Sequence, residues 1–203
     1  MAIAVQRIPA FEELYAAIEA LPEGVTGEIL EDGRIETMGR PGRSHLRAGK
    51  RLTRMLGPIE DDEERDGWVI EVEREVRLLG SRLVVPDLVG FRIVGGDDAF
   101  LDENPVARCP DWICEMLSAT TERKDRVDKL PLYARAGVPY VWLVDPDACF
   151  VEVYQERDGM PVQVAVAKGV DAVRLPPFPE VELDLRRLWG PRRKLLEVVP
   201  GKK

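Results

Sequence analysis

The sequence predicts a single α/β domain, and three observations carry that prediction. Segments 83–91, 110–117 and 140–144 are apolar on both faces, the pattern of central strands covered on each side. Helical periodicity over 11–21, 46–56 and 122–136 interleaves with them along the chain. A length of 203 residues, 45% hydrophobic and 33% charged, suits one globular unit with a buried core and is short for two. The organisation read from the chain is a helix and hairpin over 9–40, a core over 43–170 and a C-terminal extension over 171–203.

Phe11, Leu14, Tyr15 and Ile18 fall at helical spacing, and Pro22 with Gly24 ends that helix. Strands 25–30 and 34–38 flank Asp32-Gly33, a pair that favours a hairpin because glycine accepts positive φ. Ser44 is a candidate cap for a helix running Leu46 to Leu56, with Leu52, Met55 and Leu56 toward the core. Arg43, Arg47, Lys50, Arg51 and Arg54 recur on that helix at three- and four-residue spacing and could touch phosphates. The same residues also fit a solvated face neutralised by the acidic run Glu60-Asp61-Asp62-Glu63-Glu64.

From Trp68 to Leu79, Val72, Val76 and Leu78 alternate with Glu71, Glu73, Glu75 and Arg77, which reads as one strand with a wet face, turned at Gly80-Ser81. The apolar strand Leu83 to Phe91 follows, then Pro110 to Leu117. Ser118 to Glu122 carries cap-type residues ahead of a helix to Ala136, closed by Gly137, and Pro131 predicts a bend near Val127. Strands 140–144, 150–154 and 162–166 complete the series, with turns at Asp145-Pro146-Asp147 and Asp158-Gly159. The basic end, from Pro191 to Lys203, is expected to be loosely held.

Residues 1–9 lack the layout of a signal peptide, and no stretch approaches the roughly 20 apolar residues that span a bilayer. Cys109, Cys114 and Cys149 form no disulfide framework or zinc knuckle, so a reducing cytoplasm is the expected location. A net charge of -8 argues against coating nucleic acid through the global field, though not against a locally basic groove. A single histidine, His45, disfavours zinc hydrolases and His-dependent acyl transfer.

The informative residues are isolated acids in apolar strands, because an ionised carboxylate out of water costs several kcal/mol (of order ~5) unless a cation or donors compensate it. Asp87 and Glu115 fit that description, and two neighbouring strands offering one carboxylate each make a hard-oxygen site for Mg²⁺ or Mn²⁺. Pro86 cannot donate to a ladder and marks a strand end, bulge or edge beside Asp87. Asp111 lies roughly 13 Å from Glu115 along a regular strand and is expected to cap it. On the next helix Asp125, Lys129 and Tyr133 share a face, so Lys129 could position or deprotonate water and stabilise charge on a phosphate, or form a plain surface pair with Asp125. His45 fits either a structural role or one beside the site, and Tyr133, Tyr140 and Trp142 read as packing residues.

The ordered series Glu28 with Asp32-Gly33, His45, Val85-Pro86-Asp87, Pro110-Asp111 leading to Glu115-Met116-Leu117-Ser118, Asp125 through Lys129 to Tyr133, and Gly137 to Trp142 resembles the Uma-type putative restriction endonuclease family. That family belongs to the PD-(D/E)XK nuclease superfamily, so the resemblance implies a restriction-endonuclease-like fold, a mixed central sheet with helices on both sides. By position it implies Asp87 and Glu115 as metal ligands and Glu28 as an additional acid, where the residue type alone fits a hairpin surface equally well. Superfamily members usually carry lysine two residues after the second acid. Leu117 stands there in this chain, and Lys129 matches the Uma-type lysine on the following helix.

The resulting expectation is a metal-dependent DNA endonuclease, with a homodimer as the family-level assembly. Two other readings remain open on sequence: a catalytically inactive nuclease fold serving binding or assembly, and a metal-dependent hydrolase of small phosphate esters.

Overall fold

A computed structural model describes residues 7–39, 42–59 and 66–189. The chain threads two main sheets. Strands β1 (Thr26–Glu31), β2 (Arg34–Met38), β4 (Val76–Leu78) and β5 (Arg82–Val84) form a small sheet in the order β2-β1-β5-β4. Strands β3 (Gly67–Val72), β6 (Leu88–Ile93), β7 (Trp112–Met116), β8 (Tyr140–Asp145), β9 (Phe150–Arg157) and β10 (Met160–Lys168) form a six-stranded sheet in the order β10-β9-β8-β7-β6-β3. Only β7 and β8 pair in parallel within it, so the sheet is mixed, as expected.

Two apolar cores lie against the two faces of the large sheet, and strand periodicity decides which residue enters which. Trp112, Cys114 and Met116 of β7, with Trp142 and Val144 of β8, face Leu52 and Leu56 of helix α2 (Arg43–Leu56) and Leu188 of α5 (Leu185–Trp189). Ile113 of β7, with Val141 and Leu143 of β8, faces Leu130 and Tyr133 of the helical run on the other side. Glu115 is in phase with Ile113, so its carboxylate is aimed toward that second helical layer. Helix α1 (Phe11–Glu19) seals the small sheet through Phe11, Leu14 and Ile18 against Ile29 and Leu83.

Residues 171–189 add a further hairpin, β11 (Ala172–Leu175) with β12 (Phe178–Asp184), and then α5. Phe178 is fully buried edge-on against Trp112 and Trp142, so this part of the extension belongs to the first core. The basic end 191–203, the acidic run 60–64 and the first six residues lie outside the described residues. Among the described residues no helix is long and apolar enough to cross a membrane.

Two expected strands are each broken in two, for one reason. The chain passes between the sheets twice, at Glu73–Glu75 from β3 to β4 and at Val85-Pro86-Asp87 from β5 to β6. Alternation continues through both crossings, so the sequence reads each as one strand. The missing N–H of Pro86 and the left-handed backbone of Glu73 (φ 52°) end the ladders. The Glu73 amide donates to the Asp87 carbonyl at 3.3 Å and ties the crossings together.

Candidate active site

The second crossing and the end of β7 place the acids. Asp87 Oδ2 accepts from the Met116 amide at 2.6 Å, which fixes it beside Glu115, and Asp87 Oδ1 lies 2.5 Å from His45 Nε2. His45 occupies the first turn of α2, which brings its ring against Asp87. Ser44 does not cap that helix: Gly42, in extended conformation, accepts the first helical bond from Leu46 at 3.1 Å.

The second helical layer supplies the cation. Its run comprises α3 (Glu122–Lys124), a π-helical turn Asp125–Lys129, and α4 (Leu130–Ala136). The predicted bend is realised as this π turn. The Leu130 amide reaches back five residues to the Asp125 carbonyl, and Pro131, which has no amide, falls at the start of the restored α register. Asp125, Lys129 and Tyr133 then all point inward, buried to 3%, 2% and 0% exposure, which removes the alternative of a surface Asp125–Lys129 pair.

Lys129 Nζ sits 2.8 Å from Glu28 Oε1 and 3.1 Å from Glu115 Oε1, with Asp125 Oδ1 at 4.0 Å. Glu28 is fully buried and not a hairpin surface residue. Its Oε1 also accepts the Val85 amide at 3.0 Å, a donor set free by the break ahead of Pro86, and its Oε2 meets Lys124 at 2.9 Å. Tyr133 packs in the second core, as expected of it, and also donates its phenol to Glu115 Oε1 at 2.5 Å, which brings it to the candidate site. Its position four residues after Lys129 was the available signal. Lys124, missed in the sequence, bridges Glu28 and Glu36, the latter at 3.2 Å.

Buried like charges set the protonation of the cluster. Burial, reinforced by Asp87, Asp125 and Glu28 against the opposing pull of Lys129, lifts Glu115 to about 8. Burial likewise lifts Asp125 to about 6, with Lys129 and the Thr121 hydroxyl opposing. Burial also works to raise Glu28, but Lys129, Lys124 and the Val85 amide outweigh it, and Glu28 titrates below the usual range. For Lys129 burial favours the neutral amine, yet Glu115, Glu28 and Asp125 prevail and hold it protonated. A lysine so held is a hydrogen-bond donor and a positive charge beside the acids.

Asp87, Glu115, Asp125, Lys129 and His45 line a recess of about 360 Å³ between the β1–β2 hairpin and α2. Among the described residues no three His, Cys, Asp or Glu side chains form a ready-made metal cage. The donors still fit a hard divalent ion. Mg²⁺ takes one or two carboxylates and completes its shell with water and phosphate oxygens. Three acids, Glu28, Glu115 and Asp125, face two lysines, Lys124 and Lys129, which leaves a surplus of negative charge beside Asp87.

Of the five basic residues on α2, Arg43, Arg47, Lys50 and Arg54 are exposed. Arg51 is half-buried, and its Nη1 donates to the Leu188 and Trp189 carbonyls at 3.3 and 2.9 Å, which ties α2 to α5. Asp111 stands apart from the recess, accepting the Arg92 amide at 2.8 Å, a strand cap as expected.

The family model described as Uma2, putative restriction endonuclease, matches residues 10–186. The crystal structure of a putative nuclease belonging to DUF820 from Anabaena variabilis is similar in fold, with a TM-score of 0.68 and 21% identity, covering 89% of this chain and 97% of that one. No protein of curated function matches the sequence.

Proposed function

Since the chain belongs to the Uma2 putative restriction endonuclease family, we propose that it is a nuclease that hydrolyses DNA phosphodiester bonds with Mg²⁺ or Mn²⁺ held by Asp87 and Glu115. The observation that supports this most is the meeting, in one recess, of two strand-end carboxylates with a buried ammonium, arranged through the Met116–Asp87 and Lys129–Glu115 bonds. Bound there, the ion would supply Lewis-acid polarisation of a phosphate oxygen and acidify a coordinated water.

The chain's own residues provide the geometry. Lys129 and Tyr133 both donate to Glu115 Oε1, which leaves Oε2 as the oxygen that would hold the ion. His45 and the Met116 amide each hold one oxygen of Asp87. Glu28 orients Lys129, whose ammonium stabilises the charge that grows on the phosphate as water oxygen attacks and the bond to the leaving sugar oxygen breaks. Glu28 therefore acts through the lysine and not as a ligand of a second ion.

Supercoiled-plasmid nicking with Mg²⁺ or Mn²⁺ tests the reading. Asp87→Ala, Glu115→Ala and Lys129→Ala are each expected to abolish the nicking seen with the wild type. Equal nicking by all three variants would trace the activity to a contaminant and overturn the assignment. An intact plasmid together with cleavage of a model phosphodiester would move the substrate to small esters.

A further inference from the structure

The recess does not end at Asp87. A second groove of about 500 Å³ opens from it between α2 and the end of edge strand β3, and the two share His45, Glu73, Asp87 and Met116. Its α2 wall carries Leu46, Gly49, Lys50 and Arg54, and Val72 stands opposite. Leu46 and Val72 are 50% and 59% exposed, large apolar residues left in water beside a charged site. Gly49 sits mid-helix, where glycine is the costlier choice by about 1 kcal/mol. A Cβ there would meet nothing within 4 Å, so the glycine leaves open space along the groove.

We infer that this groove receives the nucleotide next to the scissile phosphate, so that the substrate is an unpaired DNA strand or an unpaired stretch within a duplex. The inference rests on the nuclease reading of the adjoining recess. Glu115 is 3% exposed, at the floor of a pocket walled by the β1–β2 hairpin and α2. For a phosphate to reach it the backbone must enter that recess, which a strand without a paired partner on its other side does at less steric cost. Once a phosphate is seated at Asp87, continuity of the two cavities carries the neighbouring base along Gly49 between Leu46 and Val72. Lys50 and Arg54 then offer positive charge to the next phosphate, and exposed Arg47 extends that charge along the helix.

The test measures binding and cleavage separately, on one labelled oligonucleotide presented as a single strand, as a matched duplex and as a duplex with a central bubble. Binding is read by fluorescence anisotropy in Ca²⁺ and cleavage in Mn²⁺, for the wild type and for Gly49→Leu. The leucine fills the groove, and because it replaces a helical glycine it is expected to leave the fold at least as stable. Wild type should favour the single strand and the bubble over the matched duplex by about tenfold or more, and Gly49→Leu should weaken strand binding by about tenfold. The Mn²⁺-dependent rise in Tm should survive in the variant, which separates groove filling from damage to the acids. Equal affinity for strand and duplex, or an unchanged affinity in Gly49→Leu, would overturn the inference even if plasmid is nicked. Strand binding that is sensitive to Gly49→Leu, without any cleavage, would uphold the groove while removing the hydrolytic function.

Discussion

Lys129 Nζ stands 2.8 Å from Glu28 Oε1, a contact between the π turn of the second helical layer and the first hairpin. It joins the small sheet to the helix that covers the large one, and it fixes the ammonium over Glu115. The same contact places a charge network inside the protein, where losing one partner costs far more than at a surface.

Replacing Lys129 with Met keeps the volume and strands three buried acids. The expected destabilisation at pH 8 is about 3–5 kcal/mol. At pH 5 the loss should be smaller, because Glu115 and Asp125, lifted to about 8 and about 6, are then protonated and need no counter-charge. Urea unfolding at the two pH values checks this, and an identical loss at both would contradict the electrostatic account.

Metal binding should strengthen as pH rises. Glu115 keeps its proton in the folded chain up to about 8, against an ordinary value of 4.5. The stability this contributes is fully present below 4.5 and is lost as pH climbs through 8. A divalent ion must displace that proton, so Mn²⁺ affinity should rise by up to about tenfold per pH unit from pH 6 to 8 and level off above. Calorimetric titration across that range is the measurement. A flat profile would mean that binding displaces no proton from Glu115.

Tyr133→Phe removes one donor from Glu115 Oε1 and leaves Lys129 in place. A hydrogen bond to a charged group is worth about 1.5–3 kcal/mol, so Mn²⁺ affinity at pH 7 should fall about tenfold or more. The pH at which affinity levels off should move upward, a change that simple loosening of the core would not produce. An unaltered profile would return Tyr133 to a packing role.

Arg51 and Lys50 are adjacent on α2 yet should behave oppositely. Arg51→Ala breaks the bonds to the Leu188 and Trp189 carbonyls and should lower stability by about 1–3 kcal/mol, with no effect on the salt dependence of oligonucleotide binding. Lys50→Ala should leave Tm within about 1–2 °C and flatten the slope of log affinity against log salt by about 0.7 for a single strand. Melting curves and binding at several salt concentrations separate the two.

Much of this site was legible in the chain because desolvation leaves a local mark. An acid among apolar neighbours at Asp87 and Glu115 signals compensation nearby, and Pro86 signals a broken ladder. The strand breaks at Glu73–Glu75 and Val85–Asp87 were read through, since alternation persists when a chain crosses from one sheet to another. Tyr133 looked like core because an aromatic in an apolar helix is usually core. Arg51 looked like part of a basic face because its spacing cannot show that carbonyls 137 and 138 residues away lie above it.

The sequence alone determined the α/β class and most of the succession of helices and strands, and it marked Asp87, Glu115 and Lys129 as the candidate acids and lysine, because periodicity and isolated charge are written in neighbouring residues. Only the tertiary structure decided that Glu28 meets Lys129, that Glu115 shares one oxygen between an ammonium and a phenol, and that Arg51 serves the fold. Those outcomes depend on which strands lie side by side and which helix covers them, and contacts so distant along the chain are fixed by global packing that no local pattern encodes.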